Sequence, residues 1–146
     1  MKRLCTLAML VVLALPGCGE EPTLEQQIIG TINELEELAE AGERGDFMDL
    51  VDEAFAGQHG TLLRMQFERF MILQWNQHRR LYAQLFPITV RAEGPDLASA
   101  RFKALITGGR GLLPDSGQLF QIETTFQKSG DDWLLLTADW EPIRAD

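Results

Sequence analysis

Few side chains in this chain of 146 residues are of types that do chemistry on their own: two cysteines, Cys5 and Cys18, two histidines, His59 and His78, and one tyrosine, Tyr82. Cys18, in "LALPGCGE", could be a structural thiol, a nucleophile, or a point of cleavage and attachment. No H-x-H or HExxH spacing joins the histidines, so a metal set is not indicated. His59 in the Gly-flanked "GQHG" reads as a turn residue, and His78 beside Arg79 as a surface residue. G-x-S-x-G is absent and no Ser-His-Asp order stands out. "GGRG" lacks the Lys-Ser/Thr of a phosphate loop and opens no helix, so it reads as a hairpin turn. The run Glu25, Glu34, Glu36, Glu37, Glu40 is the pattern of a solvated helix face. The residue types therefore offer no catalytic residue, no metal site and no cofactor motif.

The N-terminus is more informative. Lys2 and Arg3 precede the apolar run "LCTLAMLVVLAL". That run is shorter than the ~20 residues a bilayer-spanning helix needs, and it has the form of an export signal. Cys5 would leave with it, and a single remaining cysteine cannot form an internal disulfide. Hydrophobic residues make up 45% and charged residues 24%, the balance of a globular domain that must be held by its core. The net charge is −9, and removing the +2 of Lys2 and Arg3 takes it to −11. So acidic a domain repels phosphate backbones, which argues against nucleic-acid binding.

"LPGC" at 15–18 resembles the lipobox of bacterial lipoproteins, with Leu15 three residues before the cysteine and the small Gly17 directly before it. Pro16 is a less usual middle residue. The resemblance implies cleavage before Cys18 and its acylation, by palmitate-type chains. One myristoyl-length chain holds a protein only marginally, so more than one is expected. Gly19, rather than aspartate, after the cysteine implies outer-membrane sorting, with the domain facing the periplasm. The expected organisation is a signal peptide over 1–17, a tether over 18–22 and one domain over 23–143. At ~3.3–3.6 Å per residue the tether reaches at most ~15 Å, which predicts a domain close to the membrane surface.

The elements that must position any site follow from periodicity. Leu24, Ile28, Ile32, Leu35 and Ala39 share one helical face. Thr23 and Gln26 form a capping-box pattern and Gly42 is a stop, so a helix is predicted over Thr23–Ala41. A second helix is predicted from Asp46 as N-cap, with Phe47, Leu50, Val51, Ala54 and Phe55 along one side, broken by "GQHG". A third starts near Thr61. Its apolar residues, Leu62, Leu63, Met65, Phe67, Phe70, Met71 and Ile72, lie on more than one face, as in a helix that is buried or lines a cavity. "QWNQHRRLYAQLF" can extend that helix, but Leu81, Ala83 and Leu85 alternate as in a strand, so the helix is ended near Asn76.

From there the period is two. "RLYAQLFPITVRA" (80–92) reads as a strand whose apolar parity shifts at Pro87, the mark of an edge or a bulge. Ala98, Ala100, Phe102, Ala104 and Ile106 alternate with polar residues, as do Phe120, Ile122, Thr124 and Phe126. "KSGDD" turns the chain into "WLLLTADWEPI". Short turns favour antiparallel neighbours, so the fold class is α+β, three N-terminal helices followed by an antiparallel sheet.

This order resembles the nuclear transport factor 2-like superfamily, which includes the ketosteroid isomerases. The resembling stretches are "AEAGERGDFMDLVDEAFAGQHG", "LITGGRGLLP" and "SGDDWLLLTADWEPI". The likeness implies helices packed into a curved, cone-shaped sheet around a pocket, and it covers Thr23 to Ile143. Isomerase chemistry needs a carboxylate base with a tyrosine and a protonated acid as oxyanion donors. No stretch matches those motifs, so no catalytic residue is carried over. On the resemblance, Tyr82, Phe102, Ile122, Thr124, Phe126, Leu136 and Trp140 are expected to face the helices and line the pocket. Asp139 has the opposite parity, and Leu112 and Leu113 are placed in a loop at the cone mouth. Two functions stay open: a lipid-anchored domain that binds a small apolar ligand or an envelope protein without catalysis, or a small isomerase- or cyclase-type enzyme. A homodimer is compatible with either.

Overall fold

A computed structural model describes residues 19–78, 80–109 and 116–144 of the chain. The export signal, Cys18, Leu112 and Leu113 lie outside the described residues. Helix α1 spans Leu24–Ala41, with both halves of the capping box between Thr23 and Gln26 and with Gly42 in the left-handed region at φ 71°. That conformation suits a residue without Cβ, and its N–H closes the helix end. Ile28, Ile32 and Leu35 form its buried stripe.

The second helix departs from expectation. α2 runs over Arg44–Asp49 with Glu43 as N-cap, so Asp46 sits inside its first turn and Ala54 and Phe55 lie beyond its end. The chain leaves helix at Leu50 because Val51 and Asp52 pair with the sheet instead. Val51 bridges Leu135, and the Leu50 carbonyl and Asp52 N–H bond the backbone of Leu135 at 2.8 and 2.9 Å. Two short strands, β1 (Ala56–Gly57) and β2 (Leu62–Leu63), then pair antiparallel around the "GQHG" turn. α3 spans Arg64–Gln77, later in starting than expected because Leu62 and Leu63 are extended. Its N-terminus is closed by the Gln66 side chain, which accepts from Leu63 N–H at 2.8 Å.

The main sheet has five antiparallel strands. β5 (Leu97–Gly109), β6 (Ser116–Ser129) and β7 (Asp132–Pro142) are consecutive neighbours. β3 (Arg80–Leu85) and β4 (Thr89–Ala92) share the remaining edge of β5. The stretch 80–92 is thus two strands rather than one. Leu85 faces Ala104 while Thr89 faces Arg101, so three residues around Pro87 oppose two on β5. The extra residue flips the parity from Leu81, Ala83, Leu85 to Ile88, Val90, and both sets turn their apolar side chains to the helices. A second irregularity lies in β7, where Phe126 faces Leu135 but Thr125 faces Thr137. Leu136 is the unpaired residue, so Trp133 and Leu135 before it and Ala138 and Trp140 after it share the inner face.

The core lies between the sheet and the helices, around Ile28, Phe55 and Phe126, which are fully buried. An aromatic cluster fixes the helices over it. Phe55 stacks on Phe67 at 4.6 Å, Phe47 meets Trp75 edge-on at 5.6 Å, and Phe70 lies 5.5 Å from Trp140. Pairs of this geometry add ~0.5–1.5 kcal/mol to their burial. Trp75 Nε1 donates to the Ala39 carbonyl at 2.8 Å, pinning the end of α3 to the end of α1, and Trp133 Nε1 donates to Gln27 Oε1 at 3.0 Å, pinning the start of α1 to the far end of the sheet.

Candidate functional site

Between α1, α3 and the inner face of the sheet the side chains do not fill the space. They leave a cavity of about 410 Å³, within the ~300–1,000 Å³ of small-molecule sites. Its walls are Ile32, Leu35 and Ala39 from α1, Phe67, Phe70 and Met71 from α3, and the inward residues of every long strand. Small residues on β5 help to create it: Ala104 is fully buried at the wall, and Gly108 has no side chain at all. Phe102, Ile122, Thr124, Phe126 and Trp140 line the cavity. The Thr124 hydroxyl donates to the Ala100 carbonyl at 3.2 Å, so this buried polar group is satisfied within the sheet.

Tyr82 does not line it. It lies on the opposite face of β3 from Leu81, Ala83 and Leu85 and is 50% exposed. The strand alternation that brings those three inward sends Tyr82 out. Leu136 is likewise absent from the lining because the bulge gives its place to Leu135. Asp139 also points away from the cavity. It accepts from His59 N–H at 2.6 Å and lies 3.7 Å from His59 Nδ1, so it holds the 57–60 turn.

Polar lining groups gather at one end: Glu36 and Glu40 on α1, Gln74 on α3, His78 just after it, and Gln118 on β6. Two contacts with the sheet fix the place. Glu40 Oε1 accepts from Ala83 N–H at 2.7 Å, and Ala83 lies opposite Ile106, itself opposite Gln118. His78 lies over Gly108, where a Cβ would stand 2.6 Å from Nδ1. Glu40 and Gln118 are the exposed members of the lining, so this end is the mouth. Partial burial, reinforced by the carboxylates of Glu40 and Glu37, holds the Glu36 carboxyl above the usual glutamate range. When protonated, that carboxyl can donate as well as accept a hydrogen bond. Among the described residues, no three of His, Cys, Asp or Glu converge to hold a metal ion.

The mouth was missed in sequence because its carboxylates sit among the polar residues of α1. The available signal was spacing: Glu36 and Glu40 follow Ile32 at i+4 and i+8, flanking the apolar stripe. Likewise Gln74 and His78 continue the Phe67, Met71 line of α3.

No family model and no curated protein matches the sequence. Solved structures do match. One, from Streptomyces avermitilis and provisionally named a dehydratase of the NTF2-like family, has a TM-score of 0.73 at 19% identity, over 83% of this chain and 97% of that one. An NTF2-like protein with a cystatin-like fold from Novosphingobium aromaticivorans has a TM-score of 0.67 at 18% identity, over 84% and 83%. Bd1075 of Bdellovibrio bacteriovorus has a TM-score of 0.72 at 11% identity; 83% of this chain is covered, and the chain spans 41% of that protein's length. The fold is that of NTF2-like, cystatin-like proteins. At these identities the likeness establishes the fold and nothing finer.

Proposed function

We propose that the chain is a lipid-anchored protein of the bacterial envelope whose cone-shaped domain binds one small, mainly apolar molecule in the cavity, its polar end at the mouth. The observation that carries this reading is the cavity itself: walls mainly aliphatic and aromatic, with Thr124 already bonded to the Ala100 carbonyl, and the other polar groups, Glu36, Glu40, Gln74, His78 and Gln118, gathered at the mouth. Burial of the ligand's apolar body supplies affinity at ~25 cal/mol per Å², and the rim fixes orientation. The anchor rests on the lipobox resemblance at Cys18. The fold hosts enzymes and non-enzymes alike, and the isomerase pattern is weakened by Tyr82 facing outward. Mass spectrometry of organic extracts of the protein purified from membranes tests the binding role; a stoichiometric small molecule is expected, and bare protein would count against it. Cys18→Ala should abolish palmitate incorporation and membrane fractionation, and unchanged fractionation would sink the anchor.

A second reading has one observation in its favour. Glu36, with its raised pKa, and His78 line the same cavity, as a proton donor and acceptor pair would for dehydration or isomerisation. Perturbed groups in a cleft mark such sites, and two structural neighbours carry provisional dehydratase names. Under that reading the extract contains interconverting substrate and product, and Glu36→Gln stops the conversion while leaving binding intact.

A further inference from the structure

The cavity mouth and the start of the domain lie at opposite ends of the molecule, and two rulers within the fold agree on this. At ~1.5 Å per residue, α1 carries Glu36 ~20 Å and Glu40 ~25 Å beyond Thr23. Thr23 and Gln27 lie near the β6–β7 turn, since Trp133 donates to Gln27 and pairs with Lys128. Gln118, at the mouth, is ~34 Å from Lys128 along β6 at ~3.4 Å per residue. The chain between Cys18 and the domain is shorter than either distance. Gln27 Nε2 donates to the Pro22 carbonyl at 2.8 Å and Thr23 N–H donates to Gln26 Oε1 at 2.9 Å, so Pro22 and Thr23 already belong to the helix end. From Cys18 to Pro22 the chain spans at most ~14 Å. A mouth pressed to the bilayer would lift Thr23 ~20–25 Å above it, out of reach of a lipid on Cys18.

We propose that the anchored domain holds its cavity mouth away from its own bilayer, so that the cavity loads a molecule delivered through the aqueous compartment rather than lipid drawn from the anchoring membrane. This rests on the reading of Cys18 as the lipid anchor. The cavity volume agrees, since about 410 Å³ is near the lower end for a single drug-sized molecule. The ligand class is then a small amphiphile with one apolar body.

The test uses the acylated protein reconstituted in vesicles with acceptor-labelled headgroups. A donor fluorophore is placed on Asp131→Cys, in the exposed β6–β7 turn, or on Gln77→Cys, exposed beside the mouth. Energy transfer to the membrane should be markedly stronger from position 131 than from position 77. Equal transfer, or stronger transfer from 77, overturns the proposal while leaving the anchor intact. The intact mass of the same preparation is read first; absence of acyl chains on Cys18 overturns the anchor and this proposal together.

Discussion

Glu36 is the residue whose chemistry the fold has altered. Partial burial first, then Glu40 and Glu37, favour its protonated form. The folded chain therefore binds this proton more tightly than the unfolded chain does, and the linkage has a definite sign. The stability it contributes is fully present below the usual glutamate pKa and is lost as pH rises through the raised folded value. Glu36→Gln should flatten that part of the pH–stability curve and slightly stabilise the protein at neutral pH. Because solvent screens these carboxylates, the gain should stay within the ~0.5 kcal/mol typical of surface changes. Thermal melts of both proteins from pH 4 to 8 check this; a stability difference between the two that does not grow in favour of Glu36→Gln as pH rises would contradict it. The candidate site was only partly legible at this scale. Side-chain type showed the apolar wall residues Phe102, Ile122, Phe126 and Trp140. It misplaced Tyr82, although Leu81, Ala83 and Leu85 already defined the inward parity of that strand. Glu36 and His78 were illegible as a pair because helices far apart in sequence bring them to one mouth.

Both edges of the sheet are closed by side chains as well as by backbone. On the β3 edge, Glu40 takes the Ala83 N–H. On the β7 edge, Gln58 acts as a surrogate peptide group: its Nε2 donates to the Trp140 carbonyl at 3.3 Å and its Oε1 accepts from Trp140 N–H at 3.1 Å. Such closure guards against edge-to-edge pairing. It requires Gln58 and His59 at φ 48° and 57°, where L-residues are strained by ~1–2 kcal/mol each. Gly57 must be glycine, since a Cβ there would lie 2.9 Å from the Ala138 carbonyl oxygen. Gln58→Ala should therefore cost ~1–3 kcal/mol by leaving the Trp140 backbone unpaired. His59→Gly should be neutral or stabilising by up to ~1 kcal/mol, because the exposed imidazole adds only the long contact to Asp139. Urea titrations decide, and a large loss for His59→Gly would refute the account of the turn. The α1 boundaries were legible from Thr23, Gln26 and Gly42 because caps act locally. The end of α2 and the bulge at Leu136 were not, because Val51 and Leu135 choose each other across the fold and "WLLL" has no alternation to betray a bulge.

At the scale of the molecule, shape and tether work together. Helices and sheet enclose a hollow, and the long β6 carries Gln118 at its mouth far from the β6–β7 turn near Thr23. Among the described residues no helix is long and apolar enough to cross a membrane; the attachment proposed above is through Cys18. If Cys18 carries the proposed lipid, a tether of at most ~14 Å would keep the domain near the membrane while the mouth stands at the other end. On the proposed anchoring, proximity to the membrane would not mean that the ligand is met there.

The central claim is that the cavity is a binding site rather than a packing defect. Fluorescence titration with 1-N-phenylnaphthylamine, a neutral apolar probe, tests it most directly, in the wild type and in Ile106→Trp, whose indole would occupy the cavity from the β5 wall. The account expects saturable one-to-one binding to the wild type, lost at least tenfold in Ile106→Trp while the variant melts cooperatively. No saturable binding to the wild type, or equal binding to the folded variant, would contradict it.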